Sequence, residues 1–348
     1  MLFLRVCSAF FLLATFIPLL KWEYWWIRIF DYPRLQKLII ILILFGAWFF
    51  LGSYEHWEKY AWLGSLGFAV AFLTHKVVPF TPLGSKMIDS APFQQENGIH
   101  LLVANVYQYN QNYNAALNLI QKEDPDLVFL VETDKNWETG LAQLEDQFES
   151  SIKIPKDNTY GLLLYTHLKI VRQEINYLID EEIPSLELDI ELRNGKLITI
   201  YAIHPTPPVP GENTESTERD AEILMVGKKS KENPLPSLVI GDLNDVAWSY
   251  TTQLFLKISE MADPRRGRGL FSTFHAKVPL FRWPLDHIFL SKHFGLGDLK
   301  VQSSIGSDHF PISLKAVLTA ENTTETLEAN GEEKKEAHQK ISDGLESD

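Results

Sequence analysis

Three apolar runs at the N-terminus constrain this 348-residue chain more than any other feature. Leu2–Leu20 is apolar apart from Arg5, Ser8 and Thr15, and Leu38–Leu51 (LIIILILFGAWFFL) carries no charge. Ala61–Phe80 is apolar except for Thr74, His75 and Lys76 near its end. A bilayer core takes roughly 20 apolar residues per helix, so the first and third runs are long enough. The second reaches about 17 with Gly52, Ser53 and Tyr54 added, at the short limit. Between the first two, KWEYWWIRIFDYPRLQK sets Trp22, Tyr24, Trp25 and Trp26 beside Lys and Arg, a mixture suited to the headgroup zone. A cleaved signal peptide fits poorly, because the first run is too long and Ile17-Pro18-Leu19-Leu20 is not a small-residue cleavage site. Residues 1–80 therefore read as a membrane anchor of about three transmembrane helices, with two spans plus a re-entrant or interfacial segment as the alternative. Lys21, Arg28, Arg34, Lys37, Lys76 and Lys86 fall on one side, Arg5 and Lys59 on the other. The positive-inside rule then expects a multi-pass membrane protein with its C-terminal domain in the cytoplasm. An N-terminus-inside start would export that domain instead.

Charge divides the rest of the chain. The formal net charge of −13 splits into +2 for residues 1–97, −9 for 98–319 and −6 for 320–348. Residues 81–97 (TPLGSKMIDSAPFQQEN) read as a linker. Residues 320–348 lack aromatics and nearly lack aliphatics, so they are expected to be disordered or at best a frayed helix. One cysteine excludes a disulfide framework and any multi-cysteine metal site.

Residues 98–319 alternate short apolar runs with amphipathic stretches. Strands are expected at Ile99–Val106, Leu127–Val131, Leu162–Tyr165, Leu186–Leu192, Leu197–Ile203, Ser237–Ile240, His287–Leu290 and Ile312–Val317. Helices are expected at Tyr113–Lys122, Trp137–Phe148, Ser216–Lys229 and Ser249–Ile258. Many strands with interspersed helices make an α+β domain of two face-packed sheets with helices outside.

The polar residues fall at strand ends. Asn105 ends the first strand and Glu132 follows the second; His204 follows ITIYAI, and Asp242 and Asn244 follow SLVI in GDLND. Asp286 precedes HIFLS, and Asp308 and His309 precede FPISL. Singly these residues are ordinary turn or cap residues. If the strand ends converge, one cleft gathers carboxylates, amides and imidazoles, the inventory of cation-assisted hydrolysis.

That ordered set resembles the endonuclease/exonuclease/phosphatase superfamily, which includes deoxyribonuclease I, abasic-site endonucleases, neutral sphingomyelinases and inositol-polyphosphate phosphatases. The residues that carry the resemblance are Asn105 in VANVYQYN, Glu132 in FLVET, His204 in YAIHP, Asp242 and Asn244 in VIGDLND, Asp286 in PLDHIFLS, and Asp308-His309 in IGSDHFPI. The likeness covers residues 98–318, and the helical N-terminus looks like a membrane-anchored bacterial branch. It implies a four-layer αββα sandwich and a Mg²⁺ or Mn²⁺ held mainly by Glu132 with help from Asn105 and Asp308. It further implies His309 as general base or acid oriented by Asp286, and Asp242 orienting or deprotonating the attacking water. Asn244 would then donate to a phosphate oxygen, and His204 would donate to another or protonate the leaving group.

The substrate is less constrained. A phosphodiesterase or phosphatase ranks first, because a −9 domain is poorly suited to tight binding of a long polyanion; a DNA or RNA nuclease ranks second. An inactive, membrane-tethered binding module would have no reason to keep all eight residues. A calcineurin-like site would want an early Asp-x-His and a Gly-Asn-His, and neither occurs. The cluster Arg265, Arg266 and Arg268 reads either as a solvated loop or as a phosphate clamp, and Trp248 as a packing aromatic.

Overall fold

The computed structural model describes residues 1–52, 57–319 and 324–347. Ser53 and Tyr54 of the second apolar run, and residues 320–323 and 348 of the tail, lie outside the described residues. The N-terminal segment contains α1 (Leu2–Phe16), the short α2 (Trp25–Arg28), α3 (Arg34–Leu51) and α4 (Trp57–Val77). With the single-turn extensions that continue α1 to Leu20 and α4 to Phe80, three helices are long and apolar enough to cross a membrane. They pack on one another through Ile41, Leu44, Trp48, Leu66, Ala69 and Leu73, while many other large apolar side chains face outward.

The remainder runs β1 (Gly98–Asn105), α5 (Tyr113–Glu123), β2 (Leu127–Val131), α6 (Lys135–Gly140), β3 (Ser150–Ile154), β4 (Leu162–Thr166), β5 (Lys169–Asn176), β6 (Ser185–Glu191) and β7 (Leu197–Ala202). It continues with α7 (Thr217–Glu232), β8 (Ser237–Asp242), α8 (Tyr250–Ser259), β9 (Asp286–Leu290), β10 (Phe294–Val301), β11 (Ile312–Leu318) and α9 (Gly331–Leu345). Two mixed sheets form, in the orders β10-β11-β1-β2-β4-β3 and β5-β6-β7-β8-β9. Each has one parallel pair, β1·β2 and β7·β8, bridged by a helix, α5 and α7 respectively.

Alternating side chains drive the layering. One face of each sheet meets the other in a central core that includes Leu101, Val103, Phe129, Leu188, Ile200 and Ile240. The opposite faces pack under α5 and α6 on one side and under α7 and α8 on the other. This is the α+β sandwich expected from the sequence.

Several local expectations are corrected. The stretch read as one helix, Trp137–Phe148, is α6 followed by a 3-10 turn over Ala142–Asp146. The linker is not free: Met87 and Ile88 are buried in the central core, and Ala91 donates its N–H to the Leu296 carbonyl. The tail, expected to be disordered or at best a frayed helix, carries the capped and docked α9. Asn330 and Glu333 form a reciprocal cap at its start, and Lys340 reaches Glu23 and Asp220. Small-residue contact adds to this, since a Cβ at Gly344 would lie 2.2 Å from the Ala221 Cβ. Composition predicted disorder because it counts apolar area and misses buried ion pairs.

The arginine cluster is neither solvated nor a clamp. Arg265 is buried against Asp263, with Nε and Nη2 both 2.8 Å from its carboxylate. Arg266 bonds to Gln253, and Arg268 donates to the Ile88 carbonyl. Gly267 sits at φ +69° with its N–H on the Pro79 carbonyl, so this turn braces the base of α4 against the domain.

Candidate active site

Topology alone brings the polar strand ends together. β1 and β2 are parallel, so Asn105 at the end of β1 lies opposite Val131, and Glu132 follows immediately. β9 runs antiparallel to β8, so Asp286 at its start pairs in register with Asp242 at the end of β8. β11 runs antiparallel to β1, which returns Asp308 and His309 to the same edge. Gly241 makes the β8 turn feasible: φ is +141°, and a Cβ there would lie 1.9 Å from the Ile203 carbonyl oxygen.

The two sheets are joined across the cleft by Asn105. Its amide nitrogen donates to Glu132 Oε1 at 2.6 Å and to Asp242 Oδ2 at 2.9 Å, and its Oδ1 accepts from the Tyr107 N–H at 2.9 Å. Glu132 adopts φ +59°, a left-handed conformation costly for this residue. Burial is the largest influence on its carboxyl and pushes it up to about 7, against the pull of Asn105 and His309.

His309 stands between two carboxylates. Its Nδ1 is 2.8 Å from Asp286 Oδ2, and its Nε2 is 3.6 Å from Asp242 Oδ2. Burial acts to lower the imidazole pKa, but Asp286 and Asp242 outweigh it and push it up to about 10. Burial acts upward on Asp242, yet His309, His204 and Asn105 together hold it below the ordinary carboxylate range. Asp286 is raised by burial and by the neighbouring Asp242 despite its bond to His309. Asp242, Asp286 and His309 each bring a donor atom within 4.8 Å of the others.

His204 is buried with its ring 5.5 Å from that of Tyr160, and burial lowers it to about 4. Asn244, at φ +50°, donates its backbone N–H to Asp242 Oδ1 at 3.0 Å. Its side-chain amide is engaged with the Pro205 carbonyl at 3.0 Å. Asp308 is half-buried, 3.3 Å from the Ser307 hydroxyl. The eight residues singled out from the sequence thus fall at one edge of the two sheets, with Asp242, Asp286 and His309 grouped most closely and the Asn244 amide turned to the Pro205 carbonyl. Neighbouring His287 points to the opposite face of β9, held by Arg265 and the Asp245 carbonyl, as strand alternation expects.

Other residues that shape the cleft were not legible as such. Ser307 donates to the Asn105 carbonyl at 2.9 Å and accepts the His309 N–H at 3.0 Å, locking the loop that carries His309. The Thr273 hydroxyl, 3.3 Å from both the Leu285 and Asp286 N–H groups, fixes the start of β9. Phe274 covers His309 at 4.9 Å. Tyr160 bonds to Glu212 over His204. Only Ser307, inside the SDH motif, carried a signal; the others come from loops without periodicity.

The sequence matches the model of the endonuclease/exonuclease/phosphatase family over residues 102–309. The chain belongs to this family. Solved structures agree on the fold. An endonuclease/exonuclease/phosphatase family protein from Bacteroides thetaiotaomicron is 18% identical, with a TM-score of 0.54 over 65% of this chain and 100% of that one. D. rerio TDP2 complexed with a single-strand DNA product is 17% identical, TM-score 0.53, over 63% and 98%. The human Nocturnin catalytic domain is 15% identical, TM-score 0.52, over 65% and 96%. No curated protein matches the sequence. Members of the family are hydrolases of phosphoester bonds and generally use divalent metals, and this chain shares their catalytic-domain architecture.

Proposed function

We propose that the chain is a membrane-anchored, divalent-cation-dependent phosphoesterase that hydrolyses a phosphodiester or phosphomonoester by attack of an activated water. The observation that carries this reading is the buried His309–Asp286 pair facing Asp242, with Glu132 and Asn105 completing the same cleft.

The donor set fits a hard cation. Four carboxylates surround a single strongly basic imidazole, and Asp286 Oδ1 is buried without a hydrogen-bond partner among the described residues. Glu132, Asn105 and Asp308 would hold Mg²⁺ or Mn²⁺, which takes oxygen ligands and keeps several waters. Such an ion, when bound, neutralises charge on the phosphoryl and leaving oxygens.

The protein's own groups divide the proton work. Asp242, kept ionised, accepts the proton of the attacking water. His309 enters as the imidazolium, fixed in orientation by Asp286, and donates to a phosphoryl oxygen as charge builds there. His204, kept neutral by burial, offers a second hydrogen bond. Asn244 joins only after its amide leaves the Pro205 carbonyl.

The three apolar helices support membrane attachment, and the excess of Lys and Arg on one side supports a cytoplasmic catalytic domain. Substrate is drawn from phosphoesters at or near that membrane, and the net charge of −9 on residues 98–319 weighs against long nucleic acid. A nuclease is the second reading, favoured by the fold shared with a TDP2 solved with a DNA product.

The test is a substrate panel on the full-length chain in detergent: a chromogenic phosphodiester, monoesters, phospholipids, RNA and plasmid DNA, each with Mg²⁺ and with EDTA. Turnover of a non-nucleic ester that EDTA abolishes is expected. Turnover of nucleic acid alone would replace the first reading with the second, and no turnover on any substrate would leave the binding module.

A further inference from the structure

The apolar helices meet the catalytic domain at a cavity of about 80 Å³, several times the roughly 10–15 Å³ that one water requires. Arg34 and Lys37 from the first turn of α3 and Lys76 from the end of α4 line it, with Trp248, Ser249, Tyr250 and Gln253 as the domain's contribution. Thr15, Leu19 and Phe72 form its side toward the apolar helices.

Positive charge is in excess here. Among the described residues Asp31 is the only acid lining the cavity, and its two oxygens are already taken by Arg28 at 3.1 Å and Arg34 at 2.7 Å. Arg34 is only 8% exposed, yet its Nη1 is buried without an acceptor among the described residues. Lys37 donates to the carbonyls of Ala14 (2.8 Å) and Phe30 (2.7 Å), which take two of its three N–H groups, and no carboxylate bonds to it among the described residues. Lys76 makes no ion pair among the described residues; its ammonium lies 5.9 Å from the Phe72 ring centroid. Desolvated cations without counter-charge are costly, so an anion is the chemistry this cavity lacks.

We propose that the cavity binds the phosphate headgroup of an anionic phospholipid from the leaflet facing the catalytic domain. This rests on reading the three helices as membrane spans. A phosphate gives Arg34 Nη1 its acceptor and compensates Lys37 and Lys76. Leu19, 56% exposed at the end of α1, and Phe72 on α4 lead from the cavity to the helix surfaces along which acyl chains lie. Free phosphate shares the headgroup chemistry but would leave that apolar side unused.

The site underlies the joints between anchor and cleft. The Asp31 carbonyl accepts from Trp248 Nε1 at 2.8 Å, and the Tyr32 hydroxyl donates to the Asn244 carbonyl at 2.9 Å. A bound headgroup steadies Arg34 and Asp31, and through them the loop that carries Asn244.

The full-length chain in a neutral detergent supplies the test, with melting temperature read against added phosphatidylglycerol, phosphatidylcholine or inorganic phosphate. Phosphatidylglycerol is expected to raise it by about 3–6 °C while the other two do not. Arg34→Gln and Lys76→Gln should each remove that increment, and Lys86→Gln, outside the cavity, should keep it. If Arg34→Gln does not fold, half-buried Lys76 still decides the matter. Equal shifts with both lipids, or a phosphatidylglycerol shift that survives Lys76→Gln, overturn the site. An equal response to inorganic phosphate overturns the lipid assignment in favour of a free-anion pocket. Alkaline carbonate extraction separates the two levels: release of the chain from membranes sinks the membrane reading itself, whereas retention without a lipid-specific shift sinks only the headgroup site.

Discussion

Two clusters of buried carboxylates lie back to back, three residues apart in the β8 loop, and they are built on opposite principles. Behind the cleft, Asp220 and Asp245 flank Arg219, with contacts of 2.8 and 3.7 Å, and Lys340 reaches Asp220 at 3.1 Å. Ser249 and Thr252 hydroxyls fill the remaining positions on Asp245, and Thr251 bonds to Asp220. Burial pushes Asp220 upward, but Lys340 and Arg219 overcome it and hold this carboxyl far below the usual range. In the cleft, Glu132, Asp242, Asp286 and Asp308 share one imidazole, and Asp286 Oδ1 has no hydrogen-bond partner among the described residues. The balanced cluster holds the scaffold; the unbalanced one is the charge that the proposed cation and substrate would meet.

Neutralising the two clusters should therefore break different things. The largest expected effect is Asp242→Asn, which should lower metal-dependent hydrolysis by about 10³–10⁴-fold with the fold retained at some cost in melting temperature, because His309, His204 and Asn105 favour the ionised carboxylate. Loss of folding along with activity would place Asp242 with the scaffold instead. His309→Ala and Glu132→Ala should each cost at least about 10²-fold by the same assay.

Arg219→Ala acts on the other cluster and leaves two buried aspartates without their cation. It should destabilise the chain by about 3–5 kcal/mol in denaturant titration. A change within experimental scatter would show that Asp220 and Asp245 do not depend on it.

Glu222, on α7 beside the balanced cluster, supplies an intermediate case. It is buried with Oε1 unpartnered among the described residues, and burial, then Asp180 and Glu218, push it up to about 8 from 4.5. The folded chain thus holds a proton that the unfolded chain releases between those values, so stability falls as pH rises from about 4.5 to 8. Glu222→Gln should match the native chain near pH 4.5 and exceed it by about 2–4 kcal/mol at pH 8. Parallel stability curves would sink this assignment. The smallest effect should come from Lys340→Met, about 1–2 kcal/mol with turnover unchanged, because its methylenes remain packed and Arg219 still faces Asp220.

Much of this was readable from residues alone, and the failures share a cause. The strands that the sequence reading passed over, β3, β5 and β10, all lie at sheet edges. KIVRQEIN in β5 is exposed or half-buried along its whole length, so its apolar pattern is diluted, and β10 carries Gly295 and Gly297. Interior strands such as LVFLV are buried at every position and announce themselves. The cleft was legible because most of its residues lie at or near the ends of interior strands, and Asp286 opens β9, an edge strand that is nonetheless buried at every position. Thr273, Phe274 and Tyr160 act from loops whose positions are set by distant contacts, and no local pattern records those. The same holds for α9, whose anchoring charges find partners in Glu23, Asp220, Lys257 and Lys21 far along the chain.

The Tyr32 hydroxyl on the Asn244 carbonyl has a practical consequence. Phe80 and Tyr32 pack with Trp248, Val246 and Leu285, and Met87 and Ile88 belong to the central core. A fragment cut at residue 98 would open that core, bare the Trp248 indole and free the loop beside Asp242. Fragment and whole protein would then differ around Asp242, and properties measured on the first would understate how far the N-terminal segment shapes the second.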